Sequence, residues 1–148
     1  MSLFLECIKG IPVERPPIWF MRQAGRYLSE YRNTRKEAGS FLNLCYNSDL
    51  ATEVTLQPIE KFGFDAAILF ADILLILDAL GVNVQFIEGQ GPLLEPVRDK
   101  RDIQKIKNIE KIHEKLTPVY NTVRKLKNQL PVGVPLIGFA GAPWSLAT

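Results

Sequence analysis

The stretch Asp65-Ala66-Ala67-Ile68-Leu69-Phe70-Ala71-Asp72 decides the fold class of this 148-residue chain. Its uninterrupted apolar run between two aspartates predicts a short strand over residues 65–70 that is buried on both faces. Two further apolar runs, at residues 18–21 and 135–139, predict strands of the same kind. Because helical patterns separate the three runs, the order of elements indicates a parallel α/β architecture.

Helices are marked by capping residues and by apolar residues that recur every three or four positions. Ser48 is the expected N-cap of a helix that ends at Gly63, and Pro58 predicts a kink in it. Pro118 either kinks a long helix over residues 112–130 or starts a second helix capped by the preceding threonine. The remaining predictions are helices at residues 3–8, 28–38 and 102–106, an exposed strand at 83–87 and a turn at 88–92.

The number of strands bears on whether the domain is whole. Three strands do not close a barrel, and a (β/α)8 barrel needs about 250 residues. The covering helix that should follow the last strand only begins near Ser145. We therefore expect residues 1–148 to form a single partial domain of a larger α/β fold.

Composition excludes several classes of protein. Apolar residues make up 47% of the chain and charged residues 23%, which is typical of a folded domain and not of disordered or collagen-like chains. The net charge of +2, with both signs scattered, indicates neither a nucleic-acid nor a membrane partner. The longest apolar stretch, residues 66–80, contains Asp72 and Asp78 and is too short to span a bilayer. Cys7 and Cys45, without a CxxC motif, are expected to be structural thiols of a cytoplasmic protein.

In parallel α/β folds, ligands bind at the carboxyl ends of the strands. Unusual segments follow all three predicted strands, namely residues 22–26, Asp72 and residues 138–144. Asp72 is either an N-cap for the next helix or an acceptor, aimed into a cavity, for N–H donors or developing positive charge. Its apolar neighbours would provide the low-dielectric setting in which such stabilisation is largest.

Arg22 and Arg26 are four residues apart, so a helical turn would place both on one face. Two guanidinium forks match carboxylates bidentately, and the alternative is a solvated loop with incidental arginines. Gln23 adds an amide, and Gly25 permits a tight backbone. In G-F-A-G-A-P-W the glycine spacing is not that of a dinucleotide site. Its small residues would instead let a bulky ligand approach the backbone, with Phe139 as an aromatic wall.

His113 is the single histidine of the chain. It lies one position off the apolar stripe of the predicted long helix, so we expect an exposed or half-exposed side chain. Without a partner segment, one histidine supplies neither a Ser/His/Asp or Cys/His arrangement nor a clustered-histidine metal site.

Three motifs resemble the uroporphyrinogen decarboxylase family. They are P-x-I-W-F-M-R-Q-A-G-R-Y, which ends at Tyr27, D-A-A-I-L-F-A-D-I-L from Asp65, and P-L-I-G-F-A-G-A-P-W-S-L from Pro135. The motifs occur in the family's order and spacing, so the resemblance runs through essentially the whole chain. R-Q-A-G-R and G-F-A-G-A-P-W are the most specific segments.

The resemblance implies that this chain is the N-terminal portion, about three βα units, of a (β/α)8 TIM barrel. It implies decarboxylation of the four acetate side chains of uroporphyrinogen III to methyl groups, which gives coproporphyrinogen III in haem biosynthesis. It implies no metal, pyridoxal or other cofactor, because a protonated pyrrole of the substrate accepts the electrons released with carbon dioxide. The implied partners are this tetrapyrrole and a second copy in a homodimer.

The resemblance also assigns roles by motif position. Asp72 corresponds to the family's aspartate that accepts the inward pyrrole N–H bonds and balances the cationic intermediate. Arg22 and Arg26 correspond to arginines that hold substrate carboxylates. The family also gives a proton-donor role at Arg22, but a guanidinium is effectively always protonated and suits a carboxylate clamp better. The residues that would line the same loop are Gln23, Ala24 and Gly25.

Two alternatives remain open. A related barrel, that of cobalamin- or zinc-dependent methyltransferases, would carry zinc ligands later in the chain, but R-Q-A-G-R argues against it. The second alternative is that the chain is an inactive fragment, because it lacks the family's tyrosine directly after Thr148 and the family's later serine and histidine. Ser145 stands where the family more often has threonine.

Overall fold

The computed structural model describes residues 2–20, 27–87, 89–104, 106, 109–138 and 140–147. Within these ranges the helices are Leu3–Ile8 (α1), Ser29–Glu37 (α2), Phe41–Tyr46 (α3), Ser48–Phe62 (α4), Leu75–Ala79 (α5), Lys100–Ile103 (α6), Ile112–Lys115 (α7), Thr117–Gln129 (α8) and Pro143–Ala147 (α9). The strands are Ala67–Ile68 (β1), Val84–Ile87 (β2), Gly91–Leu94 (β3) and Leu136–Ile137 (β4), and Ile109–Lys111 forms a 3-10 turn.

The strands predicted at residues 65–70 and 135–139 pair in parallel. β1 lies beside β4, with Ala67 opposite Leu136 and Ile68 opposite Ile137. The Leu69 N–H extends the ladder by donating to the carbonyl of Ile137 at 2.9 Å. The parallel α/β prediction is therefore confirmed for this pair, although each strand is shorter than its apolar run.

An antiparallel hairpin, β2–β3, comes after β1 in the chain. The predicted exposed strand at 83–87 is confirmed as β2. The predicted turn at 88–92 is too long, because Gly91 and Pro92 already pair with Ile87 and Phe86. Pro92 suits this place because the sheet has two strands and an edge position needs no backbone donor.

The predicted strand at residues 18–21 is wrong over its described part, residues 18–20, where the backbone is irregular. Asp65 N–H donates to the Ile18 carbonyl at 3.1 Å, but a single bond does not make a ladder. Ile18 and Phe20 are 42% and 54% exposed, while Trp19 packs against the core. The segment is thus covered on one side only, and not on both faces as its apolar run suggested.

Capping chemistry explains the helix boundaries. Ser2 caps α1 by accepting from the Leu5 N–H, as the predicted helix at 3–8 requires. At α4 the predicted N-cap is wrong by one residue, because Asn47, not Ser48, accepts the first free N–H groups through its side chain. Gly63 ends α4 with φ of 63°, a left-handed conformation that favours glycine.

Two helical predictions are corrected in their boundaries. The helix predicted at 102–106 is α6, which begins earlier because Asp99 caps it. The helix predicted at 112–130 divides at Leu116 into α7 and α8, so Pro118 starts a second helix instead of kinking one. Thr117 does not cap that helix, because its hydroxyl donates to the carbonyl of His113. The short α3, capped by Ser40, was missed entirely.

The core forms around α4, which contacts α2, α3, α8 and β1. Its larger clusters lie at the two ends of β1. One contains Leu28, Tyr31, Leu44 and Val54, with Phe70 packed against it; the other contains Ile59, Phe64 and Ala67, with Trp19 packed against it. The first cluster supports the carboxyl end of β1, where Asp72 lies.

Candidate functional site

The chain segments that leave β1 and β4 lie against each other. Asp72 and Ile73 follow β1, and Gly141 follows β4. A β-carbon added at Gly141 would lie 3.4 Å from Cβ of Ile73 and 2.8 Å from Cδ2 of Leu146. The carboxyl ends of the parallel strands therefore bring the two segments together, as the strand-end argument expects.

The two described glycines of G-F-A-G-A-P-W have different surroundings. The space at Gly141 is filled by Leu146 and Ile73 of the same chain, so its small size serves packing and not ligand approach. A β-carbon at Gly138 would meet nothing within 4 Å. Only Gly138 thus offers the open backbone that the sequence argument assigned to this segment.

Asp72 is half-buried at the start of the turn that leads into α5. Its Oδ1 accepts the Leu74 N–H at 2.8 Å, and its carbonyl accepts the Leu75 N–H at 3.3 Å. The carboxylate thereby forms a local turn with Leu74, but Asp72 is not the N-cap considered for it, because the N-cap of α5 is Leu74, which makes no side-chain capping bond. Because a carboxylate has about four acceptor positions, the bond from the Leu74 N–H leaves capacity for further donors.

The thiol of Cys45 lies close enough to Asp72 for the carboxylate charge to affect it. Burial raises the pKa of Cys45 to about 12, and the negative charge of Asp72 contributes in the same direction. Cys45 is therefore a protonated, buried thiol and not a nucleophile. Both cysteines are free; the burial of Cys45 agrees with a structural thiol, whereas Cys7 is exposed and its structural role stays a prediction.

A cluster that the sequence argument missed holds the far end of α5. Tyr46 Oη donates to Oδ2 of Asp78 at 2.6 Å, and Lys115 Nζ reaches the same oxygen at 2.8 Å. Lys115 Nζ also donates to the Asp78 carbonyl at 3.1 Å. Burial, and then the hydrogen bond to Asp78, raise the pKa of Tyr46, so its hydroxyl is a permanent donor.

An aromatic group supports the strand end behind Asp72. The Phe70 N–H donates to Oγ1 of Thr55 at 3.0 Å, and the Phe70 ring packs against Tyr31 and Phe41 with centroids 5.9 Å away in each case. Phe41 in turn packs against Phe86 of β2. These contacts hold the backbone in place directly before Asp72.

The other predicted site residues lie outside the described residues. These are Arg22, Gln23, Ala24, Gly25, Arg26 and Phe139. On the N-terminal side of the first group, Arg15 forms a bidentate ion pair with Asp65 (2.7 and 2.8 Å). Asp65 also accepts the Ile18 N–H at 2.8 Å, so the segment that leads to Arg22 is fastened at the start of β1.

The remaining sequence predictions about binding concern His113, metals and membranes. His113 is exposed, as predicted, and its Nδ1 lies 2.8 Å from Tyr120 Oη. Among the described residues, no three His, Cys, Asp or Glu side chains are placed to hold a metal ion together. No helix in the described ranges has the length and apolar character needed to cross a membrane.

A cleft of about 650 Å³ lies between α3 and α8. Asn43, Asn47 and Asn121 are among its lining residues, and neither Asp72 nor Gly141 is. The cleft is shallow and open, whereas ligand pockets are usually enclosed and largely apolar. We therefore place the candidate site at the strand ends, on the geometry of Asp72 and Gly141.

The parallel pair and the half-buried carboxylate beyond it define the class: an α/β chain whose candidate site lies at the carboxyl edge of a sheet. A family model described as uroporphyrinogen decarboxylase (URO-D) matches residues 1–148. The chain belongs to the uroporphyrinogen decarboxylase family.

Curated relatives agree with this family. A uroporphyrinogen decarboxylase of Ruegeria pomeroyi is 57% identical over 144 residues, and one of Brucella anthropi is 60% identical over 144 residues. Each alignment covers 97% of this chain and 42% of the relative. The chain thus spans less than half the length of the curated relatives it matches.

A solved structure shares the fold. A methyltransferase from Methanosarcina mazei superposes with a TM-score of 0.72, at 17% sequence identity, over 98% of this chain and 44% of that chain. At this identity the similarity concerns the fold alone. It agrees with a partial, mixed α/β domain, and the described strands do not close a barrel.

Proposed function

We propose that this chain is the N-terminal part of a uroporphyrinogen decarboxylase. The observation that carries the proposal is the family match over residues 1–148, with Asp72 placed at the carboxyl end of β1. The full protein would remove carbon dioxide from the four acetate side chains of uroporphyrinogen III and leave methyl groups, giving coproporphyrinogen III.

The proposed complete fold is a (β/α)8 TIM barrel. The parallel β1–β4 pair, the helices between these strands and the 42% coverage of the relatives support a partial barrel. We propose about three βα units, of which the described residues contain the strands of two. In such barrels the active site lies at the carboxyl ends of the strands. Asp72 and the segment from Gly138 to Gly141 would form one side of that site.

Decarboxylation needs a group that accepts the electrons left when carbon dioxide departs. A protonated pyrrole beside the acetate is such a group, so the proposed reaction needs no metal or organic cofactor. Asp72 would accept the pyrrole N–H groups and balance the positive charge of the protonated ring. Its Oδ1 bond to Leu74 orients the carboxylate, and its remaining acceptor positions suit several N–H donors.

The arginine-bearing segment completes the proposed binding residues. Arg22 and Arg26 would hold substrate carboxylates through their guanidinium forks, with Arg22 also stabilising charge. Gln23, Ala24, Gly25 and Phe139 would line the macrocycle. The Arg15–Asp65 ion pair supports this part of the proposal, because it fixes the position of the chain at Arg15, just N-terminal to the segment that contains Arg22.

The cellular setting follows from the same proposal. The substrate is a small tetrapyrrole in the cytoplasm, and the complete enzyme would be a homodimer without a nucleic-acid or membrane partner. The two free cysteines suit a reducing compartment.

The test is an anaerobic assay of the full-length protein with uroporphyrinogen, in which products are separated by their number of carboxylates. We expect stepwise loss of four carboxylates to coproporphyrinogen, at a rate unaffected by a metal chelator. Retention of all carboxylates, or transfer of a methyl group to a thiol acceptor instead, would overturn the proposal.

A further inference from the structure

The position of the helix that follows Asp72 depends on its contacts with other elements. α5 has five residues, and a helix this short is not stable without tertiary contacts. Leu75 and Ala79 are buried and anchor one side of it. The carboxylate of Asp78 supplies the polar anchor on another side through Tyr46 and Lys115.

The polar anchor joins three separate elements. Tyr46 is the last residue of α3, Asp78 belongs to α5, and Lys115 is the last residue of α7. Both donors converge on Oδ2 of Asp78, at 2.6 and 2.8 Å, and Asp78 is only 15% exposed in its side chain. Tyr46 Oη also lies 3.4 Å from the Leu75 carbonyl, in the first turn of α5.

That first turn is the one that orients Asp72. The N–H groups of Leu74 and Leu75 donate to Oδ1 and to the carbonyl of Asp72. A shift or rotation of α5 would therefore move both donors and turn the carboxylate. A displacement of about 1 Å at a reacting group costs about 100-fold in rate in unfavourable cases.

We propose that Tyr46, Asp78 and Lys115 are positioning residues, which act on the reaction by fixing α5 and through it the orientation of Asp72. This inference rests on the proposed function, because it takes Asp72 as the charge-balancing carboxylate. None of the three is among the residues assigned to substrate binding, so we expect them to affect catalysis through the geometry of Asp72 and not binding.

The test uses the full-length protein and Tyr46→Phe, which removes the hydroxyl and keeps the ring. We expect kcat to fall about 10-fold while KM for uroporphyrinogen changes less than about 2-fold. Lys115→Gln is a second variant with the same expected direction. Lys125→Gln is the matched control, since Lys125 also pairs with an aspartate, Asp49, far along the chain from Asp72, and should keep wild-type kcat.

A double variant distinguishes positioning from general destabilisation. If Tyr46 acts through Asp72, then Tyr46→Phe adds little to the loss already caused by Asp72→Asn. A full additional 10-fold loss in that background, or wild-type kcat in Tyr46→Phe alone, would overturn the inference. Unchanged turnover in Asp72→Asn would instead overturn the role of Asp72 in the proposed function.

Amide exchange gives a readout that does not depend on activity. In Tyr46→Phe the Leu74 and Leu75 amides should exchange faster with solvent, while Lys125→Gln should leave their rates unchanged. If the double variant has no measurable turnover, this comparison decides the matter. Unchanged exchange at both amides in Tyr46→Phe would overturn the inference.

Discussion

The two aspartates that flank β1 have different partners, although both end the same apolar run. Asp65 accepts two hydrogen bonds from Arg15 and one from the Ile18 N–H. Asp72 accepts the Leu74 N–H close to itself in the chain. The amino end of a barrel strand serves stability and the carboxyl end serves chemistry. The distribution of direct partners fits this division, because the Asp65 carboxylate bonds to residues far along the chain and the Asp72 carboxylate bonds to the nearby Leu74 N–H.

Replacement of Asp72 by asparagine in the full-length protein should remove most decarboxylation while uroporphyrinogen still binds. The amide keeps the shape but has no charge to balance a protonated pyrrole, and loss of such a group costs about 3–4 kcal/mol in the transition state. The measurement is kcat together with substrate affinity. A wild-type turnover number in this variant would exclude the assigned role.

Arg26→Lys should weaken substrate binding more than it weakens the fold. Lysine keeps a positive charge but cannot reproduce a bidentate fork on a carboxylate. We expect a higher KM and a melting temperature close to that of the wild type. The opposite pattern, a large fall in melting temperature with normal kinetics, would make Arg26 a structural residue.

At the level of helices and strands, the boundaries that could be predicted are those set by a single residue with a strong conformational preference, such as a glycine at positive φ. Gly63 adopts φ of 63° at the end of α4, as predicted, and Gly39 adopts φ of 73° just beyond α2. The N-cap of α4 could not be assigned because Asn47 and Ser48 are adjacent and both are good caps, so only geometry selects Asn47. Likewise, an apolar run indicates burial but does not say whether a neighbouring strand is present, and the strand prediction at residues 18–20 failed for that reason.

The link between Asp65 and the segment before Arg22 should depend on pH. The Arg15 hydrogen bonds, and to a lesser extent the Ile18 N–H, hold the pKa of Asp65 below its ordinary value, against the effect of burial. A depressed folded pKa stabilises the protein above the unfolded value of about 4, and this contribution is lost as the pH falls through the folded pKa.

We therefore expect Asp65→Asn to lower the melting temperature of the full-length protein at neutral pH. The difference from wild type should shrink as the pH falls below about 4, where the carboxylate becomes protonated first in the unfolded and then in the folded protein. Glu95→Gln, at an exposed carboxylate, is the control and should show little difference at any pH. A difference that grows as the pH falls would contradict this account of Asp65.

The packing of α8 on α4 gives a second prediction at this scale. Leu126 is fully buried (0% exposed), and Leu126→Ala would leave a cavity between these helices. We expect the free energy of unfolding to fall by about 3 kcal/mol. Val123→Ala, on the same helix at 39% exposure, should change it by less than about 0.5 kcal/mol. Equal effects of the two variants, measured by denaturant unfolding, would show that α8 is not packed as described.

For the molecule as a whole, the sequence predicts the position of Asp72 at a strand end but not the contacts that support it. A charged residue at the end of an apolar run marked Asp72, and the strand-end rule placed it near the segment after β4, where Gly141 lies against Ile73. The Tyr46–Asp78–Lys115 cluster could not be predicted, because its members are 32 and 37 residues from Asp78 and meet only through helix packing. The arrangement of Arg22 and Arg26 around Asp72 stays a prediction.

The isolated 148-residue chain should associate with itself. Within the described residues β1 and β4 pair only with each other, so each has an edge whose backbone groups lack a strand partner. Large apolar side chains such as Trp144 (78% exposed) and Phe20 (54% exposed) are also open to solvent. Size-exclusion chromatography with light scattering should show oligomers, and a monomer with a cooperative melt would contradict this expectation.

The central claim is that residues 1–148 supply Asp72 and one side of a decarboxylase site that needs further βα units to be complete. The most direct measurement is coproporphyrinogen formation from uroporphyrinogen by the isolated chain and by the full-length protein, side by side in one anaerobic assay. The account predicts that the full-length protein forms coproporphyrinogen and that the isolated chain forms none. Turnover by the isolated chain, or none by the full-length protein, would contradict it.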